Sequence, residues 1–166
     1  MPSPSADGVL KRLRDLGIEL PDPETTVYDY IPLSVHNRVA YLAGQIPKRP
    51  GGLIAVGQAG GEVPLELAQE AARVCVEQAL SWIHAKAGGV DNVERVLRMD
   101  CYVAAADGFE QISDIADAAS GLLIALYGDA GRHPRSVIGV SRLPRQSPVL
   151  LELTFALKRD PQQAAT

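Results

Sequence analysis

Val149, Leu151, Leu153, Phe155 and Leu157 occupy every second position of a single run. Only a β-strand gathers residues of that spacing on one face, because a helix would scatter them around its axis. The chain must therefore build a sheet with a thoroughly apolar face. The same strand turns Leu150, Glu152, Thr154 and Ala156 to the other side, and with Tyr102 and part of 137–140 that face is too apolar to meet water comfortably in a monomer, so something is expected to cover it. Two segments have the period needed to cover the apolar face. Ala68, Ala71, Ala72, Cys75, Val76, Ala79, Leu80 and Ile83 form a helical stripe that starts just after Pro64 and stops at Gly88-Gly89. Phe109, Ile112, Ala116, Ala119, Leu123 and Leu126 form a second, with Gly128 just past its end. Between the stripes, Leu97, Met99, Cys101 and Val103 alternate with Arg98, Asp100 and Tyr102, the period of a half-buried strand.

The N-terminal part adds an appendage and a hairpin. Val9, Leu10, Leu13 and Leu16 recur at helical spacing, and Gly17 stands where a left-handed cap is wanted. Pro21-Asp22-Pro23 forbids helix continuation, and residues 27–35 read as extended, with Pro32 marking an edge strand or a bulge. His36-Asn37 then turns the chain into a strand over 38–43. In 50–61 glycines surround Leu53-Ile54-Ala55-Val56, a short strand or hairpin arm, and no Gly-Lys-Ser/Thr ending leads from it into a helix, so no phosphate loop is present. The order strand, strand, helix, strand, helix, strand, strand predicts an α+β domain with two helices on one sheet face. We divide the chain into an N-terminal helix and linker (1–26), a domain (27–158) and a tail (159–166).

The 166 residues, 46% of them hydrophobic, suit one globular domain. A net charge of −4 offers no footprint for nucleic acid or an anionic membrane surface. Arg132, Arg135, Arg142 and Arg145 are close in sequence, but strand alternation scatters them over two faces. The two cysteines, Cys75 and Cys101, each fall in an apolar pattern, which fits a reducing compartment better than a disulfide framework. No apolar run approaches the ~20 residues needed to span a bilayer, and residues 1–8 lack a signal-peptide core, so a cytoplasmic protein is expected.

The chemistry concentrates around Arg135. It opens the short run Ser136-Val137-Ile138-Gly139-Val140, which a Leu143-Pro144 turn reverses into the final strand. That places a fixed guanidinium at the mouth of a sheet, where its planar fork suits two-toothed recognition of a carboxylate. His133 stands just ahead of it, either a neutral-pH acid or base or a solvent-facing loop histidine. His36 and His84 have no His, Cys or acid at ligand spacing, so no metal site is expected. No nucleophile elbow or Ser-His-Asp order supports covalent hydrolysis.

Several of these residues carry a resemblance. Tyr30, Tyr41-Leu42-Ala43-Gly44-Gln45-Ile46-Pro47, the helix of 66–88, the strand of 96–103 and the Arg135-Ser136 to Leu143-Pro144 stretch, in that order, resemble the RidA/YjgF family of reactive-intermediate deaminases over 27–158. The resemblance implies a chorismate-mutase-like mixed sheet and a homotrimer whose uncovered sheet faces close into a central barrel, leaving three clefts between subunits. It implies that Arg135 holds the carboxylate of a small imine or enamine, that Tyr30 and backbone near Gly44 line the cleft, and that water converts the substrate to a 2-keto acid and ammonia without a cofactor. Three positions depart from the deaminase pattern. Leu150 replaces the first acid of a Glu-x-Glu pair on the last strand, leaving Glu152 as either a relocated acid or a structural group in a trimer salt bridge. Asp117 stands where many members have asparagine, and Val137 where a cysteine is common. Two readings stay open: a hydrolase of small carboxylated imines, weakened or altered at Leu150, or a non-catalytic trimer that binds a small acid. A third family label, RNA cleavage and translation inhibition, runs against the acidic charge and the lack of a basic aromatic face.

Overall fold

A computed structural model describes residues 8–162. Its elements are α1 (Val9–Asp15), β1 (Leu33–His36), β2 (Val39–Leu42), β3 (Lys48–Arg49), β4 (Gly52–Leu53), α2 (Leu65–Lys86), β5 (Val93–Ala104), α3 (Ile112–Tyr127), β6 (Arg135–Val140) and β7 (Val149–Leu157). The main sheet has the order β1-β2-β7-β5-β6, antiparallel throughout except for the parallel β5–β6 pair, and β3 and β4 form a separate hairpin. This is the mixed sheet of an α+β domain, with α2 and α3 on one face.

The covered face follows the sequence closely. Val149, Leu151, Leu153, Phe155 and Leu157 are buried together with the stripes of α2 and α3, and each large side chain fully removed from water contributes roughly 1.5–3 kcal/mol. The strand of β5 departs from simple alternation. Its pairing with β7 skips Glu94 and again Leu97, two bulges that each insert a residue and shift the pleat. Val96 therefore takes the buried position, and Leu97, expected in the core, is only half-buried. The second helix begins at Ile112 rather than at Phe109, which instead packs beside Gly60, where a positive φ of 81° and the nearby ring leave no room for a Cβ.

The β1–β2 turn uses Asn37 and Arg38, both in the left-handed region at φ 49° and 59°, the pair of conformations that matches the strand twist in a two-residue hairpin. The N-terminal helix is tied to the domain. Val9 and Leu13 join the same buried cluster, the Val9 N–H donates to Asp91 Oδ1 at 2.7 Å, and Arg12 Nη1 donates to the Leu126 carbonyl at the end of α3 at 2.6 Å. No described helix is long and apolar enough to cross a membrane.

Register decides what the uncovered face carries. Arg98, Asp100 and Tyr102 of β5 lie beside Thr154, Glu152 and Leu150 of β7, and Ser136 and Ile138 of β6 continue the same rows. The middle of this face is charged and its borders are apolar, with Tyr41 and Ile138 exposed. Of the β6 residues, Val137 turns to the helix side and packs against the core, while Ile138 belongs to the open face.

Candidate functional site

Arg135 is the first residue of β6 and pairs in register with the buried Met99, so its side chain leaves the sheet on the helix side and meets α3. There Nη1 forms an ion pair with Asp117 Oδ1 at 2.6 Å and donates to Ser120 Oγ at 3.0 Å. Asp117 and Ser120 can act together because residues three apart on a helix share a face. The Nε and Nη2 groups, one complete two-donor edge of the guanidinium, have no partner among the described residues. The Arg135 side chain is 24% exposed and that of Asp117 67%. A shielded cation with a solvent-facing counter-ion and one open planar edge is suited to a second carboxylate.

His133 extends this network. In extended backbone it shares a side with Arg135, two residues on. Its Nε2 lies 3.0 Å from Ser120 Oγ and its Nδ1 2.6 Å from the Gly131 carbonyl oxygen. Burial chiefly holds the imidazole below its usual pKa; the Gly131 carbonyl opposes this and the Arg135 charge adds to it. Gly131 is required by space: a Cβ there would run into the Leu123 carbonyl, 2.7 Å from its carbon and 2.9 Å from Ile124 Cα.

Leu150 and Gly44 form a second group. Gly44 follows β2, in a stretch held to β7 by reciprocal Gln45–Leu151 backbone hydrogen bonds of 2.8 and 3.0 Å. The Leu150 side chain lies directly over it, so that a Cβ on Gly44 would stand 2.7 Å from Leu150 Cδ2. Glu152 is exposed on the same open face, opposite Asp100. Asp100 is gripped by Arg98 through bonds of 3.1 and 2.7 Å, and the same arginine donates to Ser136 at 2.8 Å. Glu152 has no ion pair among the described residues, and its charge is the chief reason the neighbouring Tyr102 phenol is pushed up. Tyr30 lies apart, 52% exposed, and Val27, Tyr28 and Ile31 are exposed as well. Residues 27–30, expected to be extended, are bent, with the Tyr30 N–H donating to the Tyr28 carbonyl at 2.8 Å, and the strand begins only at Leu33.

The chain thus assembles the expected residues as two pairs, Arg135 with Asp117 and Gly44 with Leu150, and does not unite them. They sit on opposite sides of the sheet, on strands separated by β5, a lateral distance of roughly 10 Å. Ser120 is the participant that sequence reasoning missed. Its signal was available in the Asp117-x-x-Ser120 spacing on one helix and the His133-x-Arg135 spacing on one strand.

Other chemistry is narrow. Burial pushes the Cys101 thiol up to about 12 and the Cys75 thiol well above its usual value, which makes both poor nucleophiles. Among the described residues no group of three His, Cys, Asp or Glu could hold a metal ion. A groove of about 760 Å³ between α2, α3 and the segment that follows α1 is lined by Arg49, Glu70, Arg73, Glu77 and Asp117 among others.

Known proteins share both sequence and architecture with this chain. Residues 10–157 match the family model described as "YjgF/chorismate_mutase-like, putative endoribonuclease". The protein TCP17 of Trypanosoma cruzi is 33% identical over 137 residues, covering 82% of this chain and 86% of that protein. A crystal structure from Shewanella oneidensis superposes with a TM-score of 0.87 at 25% identity, covering 91% of this chain and 100% of that one. One from Agrobacterium tumefaciens gives 0.83 at 27% identity, covering 91% and 92%. With a family model spanning nearly the whole described chain and a relative 33% identical over 137 residues, the protein belongs to the RidA/YjgF family.

Proposed function

We propose that this chain forms a homotrimer whose inter-subunit clefts hold small carboxylated imines or enamines, with Arg135 gripping the carboxylate. The observation that carries this reading is the open Nε–Nη2 edge of Arg135, held in place at Nη1 by Asp117 and Ser120. Hydrolysis of such a substrate adds water across the C=N carbon and expels ammonia, leaving a 2-keto acid. It needs a held carboxylate, a protonated nitrogen and a positioned water. Arg135 supplies the first. The Gly44–Leu150 group lies on the far side of the sheet, so a cleft containing both needs a second copy of the chain. The borders of the open face, Tyr41, Tyr102, Ile138 and Leu150, supply apolar area for such an assembly.

The test is calorimetric titration of pyruvate, a 2-keto acid of the product class, into the wild type and Arg135→Ala. Loss of a charge-assisted two-donor grip should weaken binding about 10- to 50-fold with the sedimentation coefficient of a trimer unchanged. Equal affinities for the two proteins would remove Arg135 from the site, and a wild-type monomer at micromolar concentration would remove the cleft.

Asp117 competes for the same guanidinium. Replacing it with the isosteric asparagine keeps the shape and removes the counter-charge. Because Asp117 is largely exposed and screened, Asp117→Asn should tighten pyruvate binding by a modest ~3- to 10-fold, most clearly at low salt. An unchanged or weaker affinity would mean that Asp117 orients Arg135 more than it neutralises it.

A non-catalytic binder is favoured by one specific feature: Leu150, not an acid, overhangs Gly44. The readings separate on ammonia release from an imine generated in place by an amino-acid oxidase. Acceleration over the uncatalysed rate that disappears in Arg135→Ala identifies a hydrolase, and binding without acceleration identifies a binder.

A further inference from the structure

The direction of each hydrogen bond around Ser120 can be assigned from chemistry alone. Arginine has no acceptor, so Nη1 of Arg135 donates and Ser120 Oγ accepts. The Ser120 hydroxyl hydrogen is then available for His133 Nε2, 3.0 Å away, which makes Nε2 the bare nitrogen of a neutral ring. The ring hydrogen sits on Nδ1 and is donated to the Gly131 carbonyl at 2.6 Å. Donation therefore runs in one direction from Arg135 through Ser120 and His133 to backbone. A proton added to His133 reverses the middle link. Nε2–H would donate to Ser120, whose own hydrogen would lose its acceptor, and an imidazolium would stand one hydroxyl away from a guanidinium.

We propose that Ser120 and His133 are positioning residues for Arg135, a relay that fixes the direction of its open edge and couples anion binding there to proton uptake at His133. The proposal rests on the carboxylate-binding reading of Arg135. The groups that face His133 are Ser120 and, beyond it, Asp117 on α3, Arg135 on β6, and the Gly131 carbonyl in the turn between them. Asp129 and Arg132 flank that turn, paired with each other at 3.5 Å and exposed.

The sign of the coupling follows from the charges. Burial and Arg135 hold the free imidazole below its usual pKa. A carboxylate bound on Arg135 offsets part of that repulsion and raises the pKa in the complex. Affinity must then rise as pH falls through the histidine titration, and level off once His133 is protonated with and without ligand.

Pyruvate remains a carboxylate throughout this range and serves as the probe. Wild-type affinity should increase about three- to tenfold between about pH 7.5 and about pH 5.5, with calorimetric proton uptake that depends on the buffer. Ser120→Ala should weaken binding near neutral pH and flatten the profile, Ser120→Thr should restore both, and His133→Asn should abolish the pH dependence. In the ligand-free wild type, ¹⁵N NMR of the ring should show the Nδ1–H tautomer. An Nε2–H tautomer, a pH-independent wild-type affinity, or a Ser120→Ala profile matching wild type would each overturn the relay. The underlying reading fails differently: if Arg135→Ala binds pyruvate as the wild type does, the coupling falls with it, while the ligand-free tautomer still reports the hydrogen-bond chain.

Discussion

Leu150→Glu should raise the rate of imine hydrolysis by roughly 10²- to 10⁴-fold over the wild type, the range a positioned acid or base contributes. Leu150 extends over Gly44 from the open face of β7, and its neighbours there are Tyr102 across the strand pair and Glu152 two residues on. A glutamate is of similar length and its carboxylate would occupy the space that the leucine tip now fills, beside a backbone stretch that carries no Cβ. The strand's two-residue repeat puts the new acid and Glu152 about 6.6 Å apart, close enough for each to raise the other's pKa and far enough that Glu152 alone cannot stand in for it. That mutual effect places a water-handling carboxyl nearer to neutrality, where it can both accept and return a proton. Ammonia release from an imine made in place by an amino-acid oxidase, followed in wild type, Leu150→Glu and the double variant with Arg135→Ala, provides the measurement. The gain should vanish in the double variant. A folded Leu150→Glu of unchanged assembly state with no gain would show that the proposed cleft lacks hydrolytic geometry, and a wild type already as fast as a deaminase would show that another group handles the water.

Gly131→Ala should destabilise the fold by about 3 kcal/mol or more, which in a chain of this size lowers the melting temperature by roughly 6–12 °C. The added methyl meets the backbone of Leu123 and Ile124, in the last turns of α3, and backbone cannot rotate aside as a side-chain tip can. Relief requires the turn after α3 to move away from the helix, which carries the Gly131 carbonyl away from His133. Gly121, in the same helix, is the control. A Cβ there meets nothing within 4 Å and the backbone is helical, so Gly121→Ala should stabilise by about 0.5–1 kcal/mol. Denaturant titrations at equal protein concentration compare the two, since assembly adds to apparent stability. A Gly131→Ala midpoint within error of wild type would mean that the turn yields at little cost.

Much of this architecture could be read from periodicity because the two helices and the final strand each bury one uninterrupted apolar set. The exceptions have local causes. The bulges of β5 depend on which residues β7 leaves unpaired, so alternation alone put Leu97 inside and overlooked Val96. Around the site, the sequence supplied Arg135, Asp117 and His133 as separate candidates, and Asp117 only as a departure from a family pattern. Their union depends on the angle at which α3 crosses β6, a property of packing that no short motif encodes. Ser120 escaped notice because a serine in an alanine-rich helix is ordinarily a neutral surface choice. That Leu150 leans on Gly44, just past the end of β2, became visible only once β2 and β7 were laid side by side.

The place of β6 in the chain has a further consequence. The central strands β5 and β7 are neighbours in the sheet, yet α3 and β6 intervene between them in sequence, and β6 joins only on the outer side of β5. Closing β5 onto β7 bears the entropy of that long excursion, and β6 pairs with β5 alone, in the parallel sense. Like β1 at the opposite edge, the strand that begins with Arg135 can part from the main sheet while the other four strands keep their ladder. Its amides should exchange with solvent through openings smaller than global unfolding, and the guanidinium would be carried along with each opening. Strand β6 is joined to that ladder by one row of parallel hydrogen bonds to β5, the Arg98–Ser136 bond, the packing of Val137 and the ties from Arg135 to α3, so the proposed carboxylate grip and the mechanical core would open separately.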